Sequence, residues 1–89
     1  MKVTLTIHAK EKLQSKEAKS LGISREKIVN ALRKPIAVDK SLYPHRSICS
    51  LSEGLSLAVI WKAESGIIKV ITFYPAEKGR YESKVSQRR

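Results

Sequence analysis

An 89-residue chain with 42% apolar residues has the makings of one domain with an adequate core. Its 18 Lys+Arg against 8 Asp+Glu give a formal charge of +10, which favours an anionic partner, nucleic acid first. The single cysteine, Cys49, excludes an internal disulfide and a multi-cysteine zinc site, and no apolar run approaches the roughly eighteen residues of a membrane span.

The charge is unevenly placed. Residues 1–40 carry ten Lys/Arg against four acids, residues 41–75 three against two, and residues 76–89 five against two. A near-neutral middle between basic ends fits an apolar sheet with charged helices and a charged tail around it, and Lys10, Lys16, Lys19 and Lys27 read as a solvated helix face. No signal-peptide pattern is present at the N-terminus, so a reducing cytoplasm is the expected location.

In chain order, Val3-Thr4-Leu5-Thr6-Ile7 alternates apolar and polar residues and predicts a short strand with one buried face. A helix is expected from about His8, with Ala9, Leu13 and Ala18 as a thin apolar stripe and Gly22 as its interruption. Ser24 is a good N-cap for a second helix, with Glu26 favourable in the first turn, Ile28, Val29 and Leu32 facing the core, and Lys34-Pro35 as the stop. A connection over residues 36–44 then leads into three strands, at about 46–51, 55–62 and 67–74. Glu53-Gly54 and Glu64-Ser65-Gly66 separate them and argue antiparallel hairpins.

In the middle strand of these three, Leu57, Val59 and Trp61 share a face opposite Ala58 and Ile60. In the last, Ile67, Ile71 and Phe73 oppose Ile68 and Val70, the pattern of a central strand covered on both sides. Cys49 reads as a small buried strand residue. The expectation is a two-layer α+β domain of order β-α-α-β-β-β, two N-terminal helices on a small antiparallel sheet, filling residues 1–85 with a short basic tail at 86–89.

Several groups have the chemistry to hold or cleave a phosphodiester without metal. Such cleavage needs a base for the attacking 2′-hydroxyl, an acid for the departing 5′-oxygen and cations for the charge that develops between them. His8 stands at a strand-to-helix junction, where an imidazole could reach the sheet surface and exchange protons; the plainer alternative is a helix-start histidine bonded to backbone. Arg46, with His45 beside Tyr43-Pro44, can pair with phosphate, or is an exposed loop charge; Lys62 ends the neighbouring strand. The last strand runs into Tyr74, Lys78, Arg80 and Tyr81, which either face an anion together or are solvated cations beside a tyrosine packed on the sheet. No Gly-rich phosphate loop, carboxylate pair or metal cluster competes, so neither cofactor nor metal is expected.

The His8-Ala9 helix start with Lys12-Leu13, the Gly22-Ile23-Ser24 start of a second helix ending in Arg33-Lys34-Pro35, and the closing strand Val70-Ile71-Thr72-Phe73-Tyr74 together resemble a widespread small domain of uncharacterised function. That domain begins with a His-Ala-x-x-Arg helix and ends in a Val-Ile-Thr-x-Tyr strand, and it is similar to the BrnT and RelE toxins. The stretch Ile67 to Glu82, ending Arg80-Tyr81-Glu82, also looks like the BrnT ending. One departure is Lys12 in place of the helix arginine, which keeps the charge and loses bidentate phosphate recognition.

The resemblance implies a RelE/BrnT-like fold and a toxin-type, metal-independent endoribonuclease acting on messenger RNA, free or on the ribosome, and restrained by an antitoxin. It gives His8, Arg80 and Tyr81 catalytic roles, with Arg80 stabilising charge and Tyr81 stacking or moving a proton. Lys78 would hold a flanking phosphate, and Lys12, Arg46, Lys62 and Tyr74 would complete the RNA-binding set. The alternative is a noncatalytic basic module that binds RNA or an acidic protein through the same surface. A third option is a homodimeric structural or regulatory protein using the first strand as a free edge.

Overall fold

The computed structural model describes residues 2–41 and 43–77. Its elements are β1 (Lys2–Leu5), α1 (Ile7–Leu13), α2 (Lys16–Ser20), α3 (Arg25–Arg33), β2 (Ala37–Asp39), β3 (His45–Ser52), β4 (Leu55–Glu64) and β5 (Ile67–Glu77). The expected α+β class is correct, while three of its details are not. The sheet has five strands in the order β1-β5-β4-β3-β2, three helices replace two, and β1 runs parallel to β5, so the sheet is mixed rather than antiparallel.

Each difference has a local cause. The expected first strand stops at Leu5 because Thr6 caps the helix instead: its Oγ1 accepts the Ala9 N–H at 3.2 Å and donates to the Ile71 carbonyl at 3.1 Å. Ile7, expected on the buried face of the strand, therefore lies on the first helical turn and is 76% exposed. The long first helix divides at Ser15, whose hydroxyl accepts the Ala18 N–H and so starts α2 as a separate turn. The expected connection contains β2, three residues paired with β3 from Ala37↔Ile48 to Asp39↔Arg46.

Other signals act as read. Gly22 ends α2 at φ 71°, with its N–H donating to the Lys19 carbonyl and the Ile23 N–H to the Ala18 carbonyl, a Schellman closure that a Cβ would strain. Ser24 caps α3 by accepting the Lys27 N–H at 3.2 Å. Ser65 and Gly66, both at positive φ, turn β4 into β5 as a two-residue hairpin.

The helices cover one face of the sheet. Ala9, Ala18 and Ala31 are buried there against Leu57, Val59, Trp61, Val70 and Phe73, and small side chains on the helices allow close approach to the large ones on the strands. The strict alternation expected of β5 breaks at Ile71. Ile60 pairs with Thr72 and Trp61 with Val70, leaving Ile71 as the extra residue of a bulge. Val70 and Phe73, expected on opposite faces, consequently both enter the same core.

Among the described residues no helix is long and apolar enough to cross a membrane. The expected tail at 86–89 lies outside the described residues.

Candidate functional site

Two of the residues singled out from sequence meet at the edge of β5. Because β1 ends at Leu5, opposite Val70, the next stretch of β5 has no strand partner on that side among the described residues and is bordered by the start of α1; the Thr6 N–H donates to the Val70 carbonyl at 3.0 Å. His8 and Lys12 are one helical turn apart on α1, and both reach Thr72. Lys12 Nζ donates to Thr72 Oγ1 at 3.3 Å, and His8 Nε2 lies 3.3 Å from the same oxygen, the donor there being set by the imidazole tautomer.

The setting differs for the two. His8 is exposed, whereas Lys12 is half-buried, with its ammonium 5.4 Å from the centroid of the buried Phe73 ring. Beside it, Lys12, Ser15, Glu17 and Pro75 help line a dimple of about 30 Å³, room for little more than a water molecule. That dimple is too small to admit a nucleotide, so among the described residues RNA meeting Lys12 and His8 would lie across the surface. The bulge matters because it alters the direction of Thr72 relative to a regular strand.

The other described candidates do not join this group. Pairing registers place Asp39, Arg46, Ile60 and Thr72 in one row across β2, β3, β4 and β5, so Arg46 and Thr72 are two strands and roughly 10 Å apart along the backbone. Strand alternation puts Arg46, Lys62 and Tyr74 on the face away from the helices, where Tyr74 pairs with Ala58. On that face Arg46 is held 3.5 Å from the buried carboxylate of Asp39, which also accepts from the Ser41 N–H and hydroxyl. Lys62 is bound to Glu64 at 3.0 Å, and Lys69 approaches the same carboxylate at 3.9 Å. The hydrogen bond and charge of Glu64 hold the Lys62 ammonium above the ordinary lysine value, and the reverse pull holds Glu64 below the usual carboxylate range. Lys78, Arg80 and Tyr81 lie outside the described residues.

Two other features escaped the sequence reading. Thr72 is the hinge of the site, though only its place in the Val-Ile-Thr stretch marked it. A larger hollow of about 410 Å³ lies between α3 and β3, bordered by Lys27, Asn30, Lys34, Ile36, Cys49 and Ser50. Lys27, read as part of a solvated face, is one of its walls, and Cys49 is half-buried rather than buried. Among the described residues no three His, Cys, Asp or Glu side chains are grouped so as to hold a metal ion.

No protein-family model, no curated protein and no solved structure matches the chain.

Proposed function

We propose that this chain is a metal-independent endoribonuclease of the RelE/BrnT-like toxin type, acting on messenger RNA and restrained by an antitoxin partner. The observation that carries the reading is the convergence of an exposed imidazole, His8, and a cation, Lys12, on Thr72 at an accessible strand edge. The same strand continues in sequence toward Lys78, Arg80 and Tyr81.

In that chemistry, one ring nitrogen of His8 is oriented by Thr72 and the other takes the proton of a ribose 2′-hydroxyl. The 2′-oxygen then bonds to the adjacent phosphorus as the bond to the 5′-oxygen breaks, leaving a 2′,3′-cyclic phosphate and a 5′-hydroxyl. Lys12, already fixed beside Thr72, offsets charge on the non-bridging oxygens. The resemblance gives Arg80 the same charge to stabilise and Tyr81 a stacking or acid/base role.

A noncatalytic RNA-binding module is the second reading, and it has an observation in its favour. The described cations Arg46 and Lys62 are engaged with Asp39 and Glu64 rather than gathered at Thr72 with His8 and Lys12. Inducible expression with measurement of growth and RNA integrity separates the two. The nuclease reading expects growth arrest and fragmented RNA, both relieved by Arg80→Ala, Tyr81→Phe or His8→Ala. Intact RNA in arrested cells, or fragmentation that survives all three changes, overturns it.

A further inference from the structure

Across β3 and β4, three rings meet in a chain. Tyr43 and His45 are 5.3 Å apart between centroids at an interplanar angle of 85°, and His45 and Trp61 are 4.8 Å apart at 62°, both edge-to-face geometries. The inner ring is fixed: Trp61 Nε1 donates to the buried Ser47 hydroxyl at 2.8 Å. The outer ring is open, with Tyr43 66% exposed. A cation flanks the chain: Lys40 Nζ lies 5.9 Å from the Trp61 centroid.

An isolated exposed tyrosine needs no explanation. An exposed ring stacked edge-to-face on two further rings, one of them anchored, and bordered by Lys40 on a chain of charge +10 is a different matter. Flat π surface set among cations is what a splayed, single-stranded base and its phosphates require. We propose that Tyr43, backed by His45 and Trp61 and flanked by Lys40, is a stacking platform for a base of single-stranded RNA. The platform rests on the reading of RNA as the partner, and it is separate from His8, Lys12 and Thr72. It would hold the strand at a second point, so that binding depends on base as well as phosphate.

Trp61 is the chain's one tryptophan, so its emission reports on this site directly. The full chain is titrated with single-stranded oligoadenylate of about eight nucleotides, within the usual site size, and with an abasic ribose-phosphate oligomer of equal length. Oligoadenylate is expected to change Trp61 emission and to bind more tightly than the abasic oligomer. Tyr43→Ala should weaken oligoadenylate binding roughly 5- to 150-fold and leave abasic binding unchanged, the range expected for loss of one stacked base. Tyr43→Phe should bind like the parent, and Tyr43→Leu, which keeps apolar bulk without a π face, should behave like Tyr43→Ala. If the parent does not discriminate between the oligomers, or if Tyr43→Ala binds oligoadenylate as the parent does, the platform is wrong while an RNA partner stands. If the parent binds neither oligomer, the platform and the RNA reading fall together.

Discussion

Replacing Ser47 by alanine strands the indole N–H of Trp61. The donor lies 2.8 Å from the Ser47 oxygen, Ser47 is 1% exposed and Trp61 9%, so water has little access to replace the lost acceptor. The substitution removes a single oxygen and opens almost no cavity, which leaves the orphaned donor as the main cost, about 1–3 kcal/mol. A domain of this size shifts its melting temperature by roughly 4–8 °C per kcal/mol, so a cost near 2 kcal/mol lowers Tm by about 8–16 °C.

The Trp61→Phe background isolates the bond. There the hydroxyl has already lost its donor, and Ser47→Ala should cost close to nothing, giving a coupling of about 1–2 kcal/mol once the ring-size effect cancels in the cycle. Urea unfolding followed by far-UV circular dichroism measures all four proteins without relying on the tryptophan. A Ser47→Ala cost equal in both backgrounds to within about 0.3 kcal/mol would refute the assignment of that energy to the indole bond.

Two further predictions follow from the charges. Arg46→Ala removes a charged partner from the buried Asp39 carboxylate, and should destabilise the fold by about 2–4 kcal/mol in urea unfolding, toward the lower end for a buried pair because the Arg46 side chain keeps 16% of its surface in water. A loss below about 0.5 kcal/mol would instead mark Arg46 as a surface cation available to an anion. For Glu64, NMR titration should find a midpoint below the ordinary carboxylate value, moving upward in Lys62→Met, because the Lys62 hydrogen bond is the largest cause of its shift. A lowered folded pKa means that the pair's stabilisation is present above the unfolded carboxylate's pKa and is lost as pH falls through the folded one. The raised Lys62 acts in the opposite range, its contribution fading as pH rises through its own folded pKa. A Glu64 midpoint unchanged by Lys62→Met would show that the pair is not formed in solution.

Much of this architecture is legible locally, and the parts that are not share a physical reason. β4, the Ser65-Gly66 turn, the Ser24 cap and the Gly22 closure depend on residues within a few positions of one another, where propensity and hydrogen bonding agree. The Ser15 break is also local, yet Ser15-Lys16-Glu17-Ala18 fits a continuing helix as well as a new start, and nothing in the pattern decides between them. The bulge at Ile71, the parallel pairing of β1 and the short β2 are settled by partners far along the chain. Thr6 illustrates the link: its hydroxyl both caps α1 and ties it to the Ile71 carbonyl, so the end of the first strand is set by the bulge in the last.

The candidate site divides the same way. His8 and Lys12 share a helix face and could be paired from their spacing, whereas Thr72 joins them only through tertiary packing. Arg46 and Lys62 both read as candidates for RNA; Asp39 comes to Arg46 through β-pairing, which the sequence does not display, whereas Glu64 lies two residues beyond Lys62 on the same face of β4 and was within reach of strand alternation. The Tyr43, His45 and Trp61 rings meet across two antiparallel strands, by the His45↔Trp61 register, which no window of sequence displays.

The central claim is that His8, set by Thr72 and supported by Lys12, moves a proton during cleavage of RNA. Purified chain incubated with end-labelled single-stranded RNA in excess chelator tests it most directly, with fragment ends identified by mass. Fragments ending in 2′,3′-cyclic phosphate are predicted, with the rate falling about 10²–10⁴-fold in His8→Ala. Full-length RNA after incubation with the parent, or cleavage at an undiminished rate in His8→Ala, contradicts it.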